Sequence, residues 1–182
     1  MGFINSEVKF QSFVINFLYM TEITFKNKNL FYSNQTIAWT IDLDIPAEIV
    51  ADDVRFVKKK DFHVSLVCIG EIARKKELDF YDLERKLLTE FIDYTNSNEI
   101  EYLGIKKDYM FVEQGDLKTI IVMCEFSGLE KYFEIVNAKY SLNLEYPPLH
   151  ITLYVLPEKW GIFISDSNDI LNFTKSLNLK IL

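Results

Sequence analysis

Hydrophobic and polar positions alternate along several short stretches of the chain. From residue 35 to residue 44, apolar side chains fill every second position, and threonine, alanine or aspartate stands between them. Because successive side chains of a strand point to opposite faces, this pattern predicts a half-buried strand. The same reasoning predicts strands over residues 62–69, 119–126 and 149–155, with a hairpin turn at Gln114-Gly115-Asp116.

Apolar residues at three- and four-residue steps predict helices elsewhere in the chain. The longest such segment covers residues 74–96, and shorter ones cover residues 128–141 and 166–177. Residues 47–57, which follow Pro46, are predicted as a short helix or a turn. Hairpins mixed with helical connections are typical of α+β proteins with antiparallel sheets, and we predict that class here.

The order of these elements divides the chain into two parts. Residues 1–34 contain one approximate helical stripe, over residues 8–20, and are predicted as an N-terminal extension of unclear role. Residues 35–182 are predicted as a single domain in which strands and a helix occur twice, each time with one histidine-bearing strand. We therefore expect two antiparallel sheets, each with one histidine on its open face, that meet across a cleft.

The chain has only two histidines, and each begins the same four-residue pattern of histidine, apolar residue, serine or threonine, and leucine. The patterns are His63-Val64-Ser65-Leu66 and His150-Ile151-Thr152-Leu153. In a strand, the histidine and the hydroxyl residue share one face, and the apolar residue between them lies on the other. A single histidine on a strand is usually a core or surface residue. The repetition of the whole pattern favours a shared chemical role.

Two such motifs together suit chemistry at a phosphate group. An imidazole titrates near neutral pH, so one can act as general base while the other acts as general acid. A hydroxyl two residues further along the strand can donate a hydrogen bond to an anionic oxygen beside the imidazole. This chemistry needs no cofactor. Two histidines without a carboxylate or cysteine at ligand spacing also make a poor metal site, so no metal is expected.

These two motifs resemble the paired motifs of the 2H phosphoesterase superfamily, which includes 2′-5′ RNA ligase-like proteins and 2′,3′-cyclic phosphodiesterases. The resemblance covers residues 35–182, and the proline before the second motif fits it. It implies a two-lobed α+β fold with pseudo-twofold antiparallel sheets, helices on the outer faces and a central cleft. It also implies a metal-independent phosphodiesterase with His63 and His150 as the acid–base pair and with Ser65 and Thr152 as phosphate-binding residues. Which histidine is the base stays open.

Two further residues are candidates for substrate contact. Tyr154 follows Thr152 by two positions, so a regular strand would place it on the face of His150, where it either stacks on a base or packs. Lys60 ends a basic run, with Arg55, Lys58 and Lys59, that leads into the first histidine strand. This run is either a solvated loop or a contact to phosphate.

Charge and composition limit the partners. The 182-residue chain has a net charge of −7, which argues against a broad surface for long nucleic acid. A small nucleotide, a cyclic nucleotide or a short oligonucleotide is the expected substrate. No apolar run reaches the roughly 18 residues of a membrane span, so no membrane association is expected. Cys68 and Cys124 lie in apolar runs and are predicted to be buried free thiols, which fits a cytoplasmic protein.

Three functions therefore compete. The first is an enzyme that cleaves a 2′,3′-cyclic or a 2′-5′/3′-5′ linked nucleotide. The second is a non-catalytic nucleotide-binding module that uses the same cleft. The third is an unrelated α+β interaction protein whose histidines are structural. Close approach of the two histidines would separate the first two functions from the third.

Overall fold

The computed structural model of the protein describes residue 23, residues 25–157, residue 159 and residues 161–177. The helical stripe predicted over residues 8–20 lies outside the described residues. Among the helices that are described, none is both long enough and apolar enough to cross a membrane.

Nine strands and four helices follow one another in the described part of the chain. The strands are β1 (Leu30–Ser33), β2 (Thr36–Ile41), β3 (Glu48–Ala51), β4 (Val54–Lys58), β5 (Phe62–Cys68), β6 (Glu101–Gln114), β7 (Leu117–Ser127), β8 (His150–Val155) and β9 (Thr174–Ser176). The helices are α1 (Ile69–Lys75), α2 (Phe80–Ser97), α3 (Leu129–Tyr140) and α4 (Ser167–Phe173).

All nine strands belong to one antiparallel sheet, which confirms the α+β class. The strand order is β1-β2-β5-β8-β7-β6-β9, and the β3–β4 hairpin joins β8 through β4. We expected two separate sheets, but the strands of the two histidine motifs, β5 and β8, are direct neighbours. Among the described residues, their ladder contains one pair, Val64 opposite Ile151. This short ladder therefore connects the β1-β2-β5 group to the β8-β7-β6-β9 group.

The main core lies between one face of the sheet and helices α2 and α3. Both helices are amphipathic, and the Tyr132 hydroxyl of α3 donates a hydrogen bond to the Leu87 carbonyl of α2 at 2.9 Å. The core includes fully buried residues from both helices and from the motif strands. These include Leu66, Leu87, Leu88, Phe91, Leu129, Tyr132, Val136, Ile151 and Leu153.

A smaller core lies on the opposite face of the sheet. It consists of Val112, Ile121, Ile162 and Ile164. Ile162 and Ile164 come from the described residues 161–164, which do not form a strand. Instead, this segment covers the β6–β7 side of the second face. The histidine motifs lie on the same face, beside it.

The strand of the first motif contains a β-bulge at the last motif residue. Ser65 pairs with Ala38 of β2, and Val67 pairs with Ile37, so Leu66 is the extra residue between the two pairs. An extra residue reverses the alternation of side chains beyond it. Leu66 and Val67 are consequently both buried in the main core.

The strand of the second motif has a bulge at the same motif position. Thr152 pairs with Ile121 of β7, and Tyr154 pairs with Ile120, which leaves Leu153 as the extra residue. Leu153 and Tyr154 are both fully buried in the main core. In both motifs, therefore, the two residues that follow the serine or threonine point into the main core and not to the face that carries the histidine.

The prediction that Tyr154 shares a face with His150 is wrong because of this bulge. The Tyr154 side chain has no exposed surface, and its hydroxyl donates a hydrogen bond to the Pro46 carbonyl at 3.0 Å. A regular strand would have turned the ring toward His150. The bulge at Leu153 turns it into the core instead.

The short helix or turn predicted over residues 47–57 is also wrong, because this segment forms the β3–β4 hairpin. Ala51 pairs with Val54 across a two-residue turn, Asp52-Asp53. Both aspartates have a positive φ, 49° and 59°, which suits the tight turns of hairpins. The predicted hairpin turn before β7 is confirmed, with Gln114 opposite Leu117.

The helix predicted over residues 74–96 begins later than expected, because residues 74 and 75 end α1 and α2 begins at Phe80. Glu77 between them has a φ of 52°, and the Asp79 carboxylate caps α2 by accepting a hydrogen bond from the Asp82 N–H at 2.8 Å. Part of the predicted N-terminal extension belongs to the fold as well. Ile23, Phe25 and Leu30 are buried in the main core, so the folded part of the chain begins before residue 35.

The position of Tyr154 can be tested by removing its hydroxyl. We expect Tyr154→Phe to lower the free energy of unfolding by about 1 kcal/mol, because the Pro46 carbonyl loses its hydrogen bond while the ring stays in the core. Urea denaturation measures this change. Tyr81→Phe is the matched control, since Tyr81 is 68% exposed and should show no loss. Equal stability of Tyr154→Phe and the unchanged protein would contradict the assignment of Tyr154 to the core.

Candidate functional site

The pairing of β5 with β8 brings the two histidine motifs together on one face of the sheet. Val64 and Ile151 face each other and are fully buried in the main core. In an antiparallel pair, the residues that flank such a pair lie opposite each other in reverse order. His63 is therefore opposite Thr152, and Ser65 is opposite His150, on the face away from the main core. Each imidazole has one hydroxyl on its own strand and another across the ladder.

The four side chains differ in burial. His63, Ser65 and His150 are half-buried, and Thr152 is buried. The backbone of Gly161 lies against Thr152: a Cβ atom built at Gly161 would be 3.4 Å from the Thr152 methyl carbon. The C-terminal segment thus covers the Thr152 end of the site. The His63 end is more open.

The His150 ring is held by the backbone of its own motif. Its Nδ1 atom is 2.7 Å from the Pro148 carbonyl oxygen. Because a carbonyl only accepts hydrogen bonds, Nδ1 carries the proton in this contact. The neutral ring then has an unprotonated Nε2, and the protonated ring has its second proton there. The carbonyl of Pro148, the second of the two prolines before the motif, fixes the tautomer of His150 in this way.

The His63 ring has different neighbours. The Phe31 ring of β1 meets it edge to face, with 6.0 Å between ring centroids and an interplanar angle of 88°. Burial lowers the pKa of His63 from 6.5 to about 4, and the nearby positive charges of Lys59 and His150 act in the same direction, with Asp61 opposing them. His63 is therefore neutral at pH 7.

Burial also lowers the pKa of His150. The hydrogen bond to the Pro148 carbonyl opposes this shift, because it favours the protonated ring, and the Lys59 charge adds to it. The two imidazoles are close enough for the charge of His150 to lower the pKa of His63.

An open pocket of about 650 Å³ lies beside the first motif. His63 and Ser65 form part of its wall. Two aromatic rings also line it: Phe31, and Phe163, which is 44% exposed. Arg74 contributes a guanidinium group that is paired with the carboxylate of Glu71. The pocket thus combines imidazole, hydroxyl and aromatic surfaces.

The lysine nearest the site is not the one that we singled out from the sequence. Lys60 is exposed, whereas Lys59 is half-buried and its charge acts on both histidines. Strand alternation could have found Lys59: Phe56 of β4 is in the main core, so Lys59, three residues later, points to the opposite face. That argument requires β4, which was predicted as a helix or turn.

Both cysteines are free thiols, as predicted, but only Cys124 is buried and Cys68 is half-buried. Burial raises the pKa of Cys68 to about 12, although the hydroxyls of Ser65 and Thr36 oppose the shift. Burial likewise raises the pKa of Cys124 to about 12. The reactive form of cysteine is the thiolate, so neither residue is a nucleophile at neutral pH.

Within the described residues, no three His, Cys, Asp or Glu side chains are grouped so that they could hold a metal ion. No family model, curated protein or solved structure matches the chain. The resemblance to the 2H phosphoesterase superfamily therefore depends on the two motifs themselves.

The low pKa of His63 predicts how stability changes with pH. An imidazole with a pKa of 6.5 in the unfolded chain and about 4 in the folded protein favours the unfolded state as it gains a proton. The contribution of His63 to the free energy of unfolding is therefore fully present above pH 6.5 and is lost as the pH falls to 4. The loss is at most about 3 kcal/mol. Urea denaturation from pH 7 to pH 4 measures the loss.

A matched variant isolates the contribution of this residue. His63→Gln keeps a polar side chain but does not titrate, so its stability should fall less steeply between pH 6.5 and pH 4. The carboxylates contribute equally to both proteins and cancel in the difference. The same pH dependence in the two proteins would contradict a depressed pKa for His63.

Proposed function

We propose that the protein is a metal-independent phosphodiesterase that hydrolyses a 2′,3′-cyclic or a 2′-5′/3′-5′ linked nucleotide, with His63 and His150 as the acid–base pair. One observation carries the proposal: Val64 pairs with Ile151, so that two imidazoles and two hydroxyls share one face of the sheet. A phosphate group between the motifs would have an imidazole on each side. Attack and departure at phosphorus could then each use one histidine.

In the proposed reaction His63 is the general base and His150 is the general acid. The pKa of His63, about 4, keeps it unprotonated and able to accept a proton. His150 has a hydrogen bond from Nδ1 to the Pro148 carbonyl that supports its protonated form, in which Nε2 carries the second proton. Water attacks phosphorus and loses a proton to His63, and the P–O bond to the ribose breaks as His150 protonates the leaving oxygen.

Ser65 and Thr152 are proposed to donate hydrogen bonds to the non-bridging phosphate oxygens. Each lies two residues after one histidine and opposite the other histidine, so a phosphate between the two imidazoles would have both hydroxyls beside it. Charge builds up on these oxygens in the transition state, and fixed donors stabilise it there.

The finer architecture is part of the same proposal: two pseudo-twofold lobes, with the cleft between them on the histidine face. Two features support it. Each motif strand has its bulge at the fourth motif residue, Leu66 or Leu153. The two groups of strands are connected through a short ladder, as expected where two lobes meet.

A small substrate fits this site better than a long one. The pocket beside His63 is about 650 Å³, large enough for a mononucleotide or part of a short oligonucleotide, and Phe31 and Phe163 offer ring surfaces for a base. The net charge of −7 opposes binding of a long polyanion. We therefore propose a small or short nucleotide substrate.

A non-catalytic nucleotide-binding module is the second candidate, and one observation favours it. Burial lowers the pKa values of both imidazoles, and a general acid must be protonated to act. A protein that only binds a nucleotide has no such requirement. Turnover decides between the two functions.

The test is a substrate panel with EDTA present: 2′,3′-cyclic mononucleotides, 2′-5′ oligoadenylate and cyclic dinucleotides. We expect turnover of at least one of them, and a loss of ~10²–10⁴-fold in kcat for His63→Ala and for His150→Ala, the scale of a missing general acid or base. Circular dichroism and urea denaturation confirm that the variants fold. Full activity in either variant would remove that histidine from the proposed mechanism.

The hydroxyl residues give a second, smaller effect in the same assay. Ser65→Ala and Thr152→Ala should each lower kcat/KM by a factor that corresponds to ~1–3 kcal/mol, because a phosphate oxygen loses a donor. Thr89→Ala, at an exposed position on α2, is the matched control and should leave kcat/KM unchanged. Unchanged rates in both site variants would exclude these hydroxyls from phosphate binding.

Abolition of activity by EDTA would contradict a metal-independent reaction.

A further inference from the structure

Lys59 lies directly after β4, beside the second histidine motif. Its backbone N–H donates a hydrogen bond to the Leu153 carbonyl at 2.9 Å, which extends the pairing of β4 with β8 by one residue. Phe56 of the same strand is fully buried in the main core. Because side chains alternate along an extended chain, Lys59 points to the opposite face, where the histidines are.

The surroundings of Lys59 differ from those of the lysines on either side. Lys58 and Lys60 are exposed, whereas Lys59 is half-buried. Burial lowers its pKa, and the negative charge of Asp61 opposes that shift. No acceptor among the described residues lies within hydrogen-bond or ion-pair distance of its ammonium group. A desolvated ammonium group without a partner is unfavourable, and an anion would compensate for it.

We propose that Lys59 is the cationic ligand of the substrate's phosphate group, an inference that rests on the proposed phosphodiesterase function. A phosphate between the two motifs would lie close to the one half-buried lysine of this face in the described structure. The ammonium group would supply the positive charge that the hydroxyls of Ser65 and Thr152 lack. Arg74, a cation on the wall of the pocket beside His63, is already paired with Glu71.

This assignment gives Lys59 a second effect, on the protonation of the histidines. Its charge lowers the pKa of both His63 and His150. The charged groups that line the pocket beside His63 are Asp61, which acts against Lys59 on the pKa of His63, and the Arg74–Glu71 pair. A bound phosphate offsets the charge of Lys59, which raises the pKa of both imidazoles and allows one of them to become the general acid. Phosphate binding would thus prepare the site for proton transfer.

Three variants test the proposal. Lys59→Met keeps an apolar chain of similar length and removes the charge, so the burial of the histidines is preserved. Lys59→Arg keeps the charge. Lys58→Met is the matched control, because Lys58 is exposed and lies on the face away from the histidines. Urea denaturation establishes that all three fold.

The first readout is NMR of the two imidazoles, which are the only ones in the chain. We expect inorganic phosphate to shift both in the unchanged protein, and its affinity to fall about 10-fold or more in Lys59→Met, the scale of a lost charge-assisted contact. Lys59→Arg should restore most of the affinity. In phosphate-free buffer, the pKa of His63 should rise above about 4 in Lys59→Met and stay unchanged in Lys58→Met. A purely structural role for Lys59 would not produce this pattern.

The second readout is turnover of whichever nucleotide the substrate panel identifies. Lys59→Met should lower kcat/KM by about 10- to 100-fold. It should also shift the acidic limb of the pH–rate profile to higher pH, because the pKa of His63 rises. If turnover, phosphate affinity and the His63 titration are the same in Lys59→Met and the unchanged protein, the Lys59 proposal is overturned and the phosphodiesterase stands. If the unchanged protein turns over no nucleotide and phosphate shifts neither imidazole, both proposals fail.

Discussion

The pairing of Val64 with Ile151 is the contact on which the arrangement of the site depends. It is the one pair of the β5–β8 ladder in the described structure, and it joins the two groups of strands. Both residues are fully buried, so the sheet can keep this register only while their side chains fill the core beneath it. A slip by one residue would turn the histidines into the core. Packing on one face of the sheet thus fixes the positions of the histidine and hydroxyl side chains on the other face.

The two bulges then limit how far the polar face extends. Beyond Ser65 the chain turns Leu66 and Val67 inward, and beyond Thr152 it turns Leu153 and Tyr154 inward. Each motif therefore contributes two polar side chains and then returns to the core. Bulges are common beside active sites because they redirect side chains locally without disturbing the rest of the sheet.

Local patterns predicted much of this structure, but non-local pairing did not follow from them. Alternation correctly put His63 with Ser65 and His150 with Thr152, since two residues of one strand need no partner to define their faces. Tyr154 was misplaced because a bulge depends on the neighbouring strand. Lys59 was missed because its face depends on β4, whose Asp52-Asp53 turn was not recognised. The joining of two expected sheets into one also depends on strands distant in sequence.

Burial of the two histidines imposes an order of events on any acid–base reaction at this site. Desolvation and the Lys59 charge lower the pKa of both rings, and only the Pro148 carbonyl favours a proton on His150. A proton therefore enters the site most easily together with an anion, whose charge opposes that of Lys59. Of the two rings, His150 is the one whose Nδ1 already has an acceptor, which is why we propose it as the general acid, with its second proton at Nε2. His63, which has Phe31 against its ring and no such acceptor in the described structure, is the proposed base. The asymmetry between two nearly identical motifs thus arises from what surrounds them.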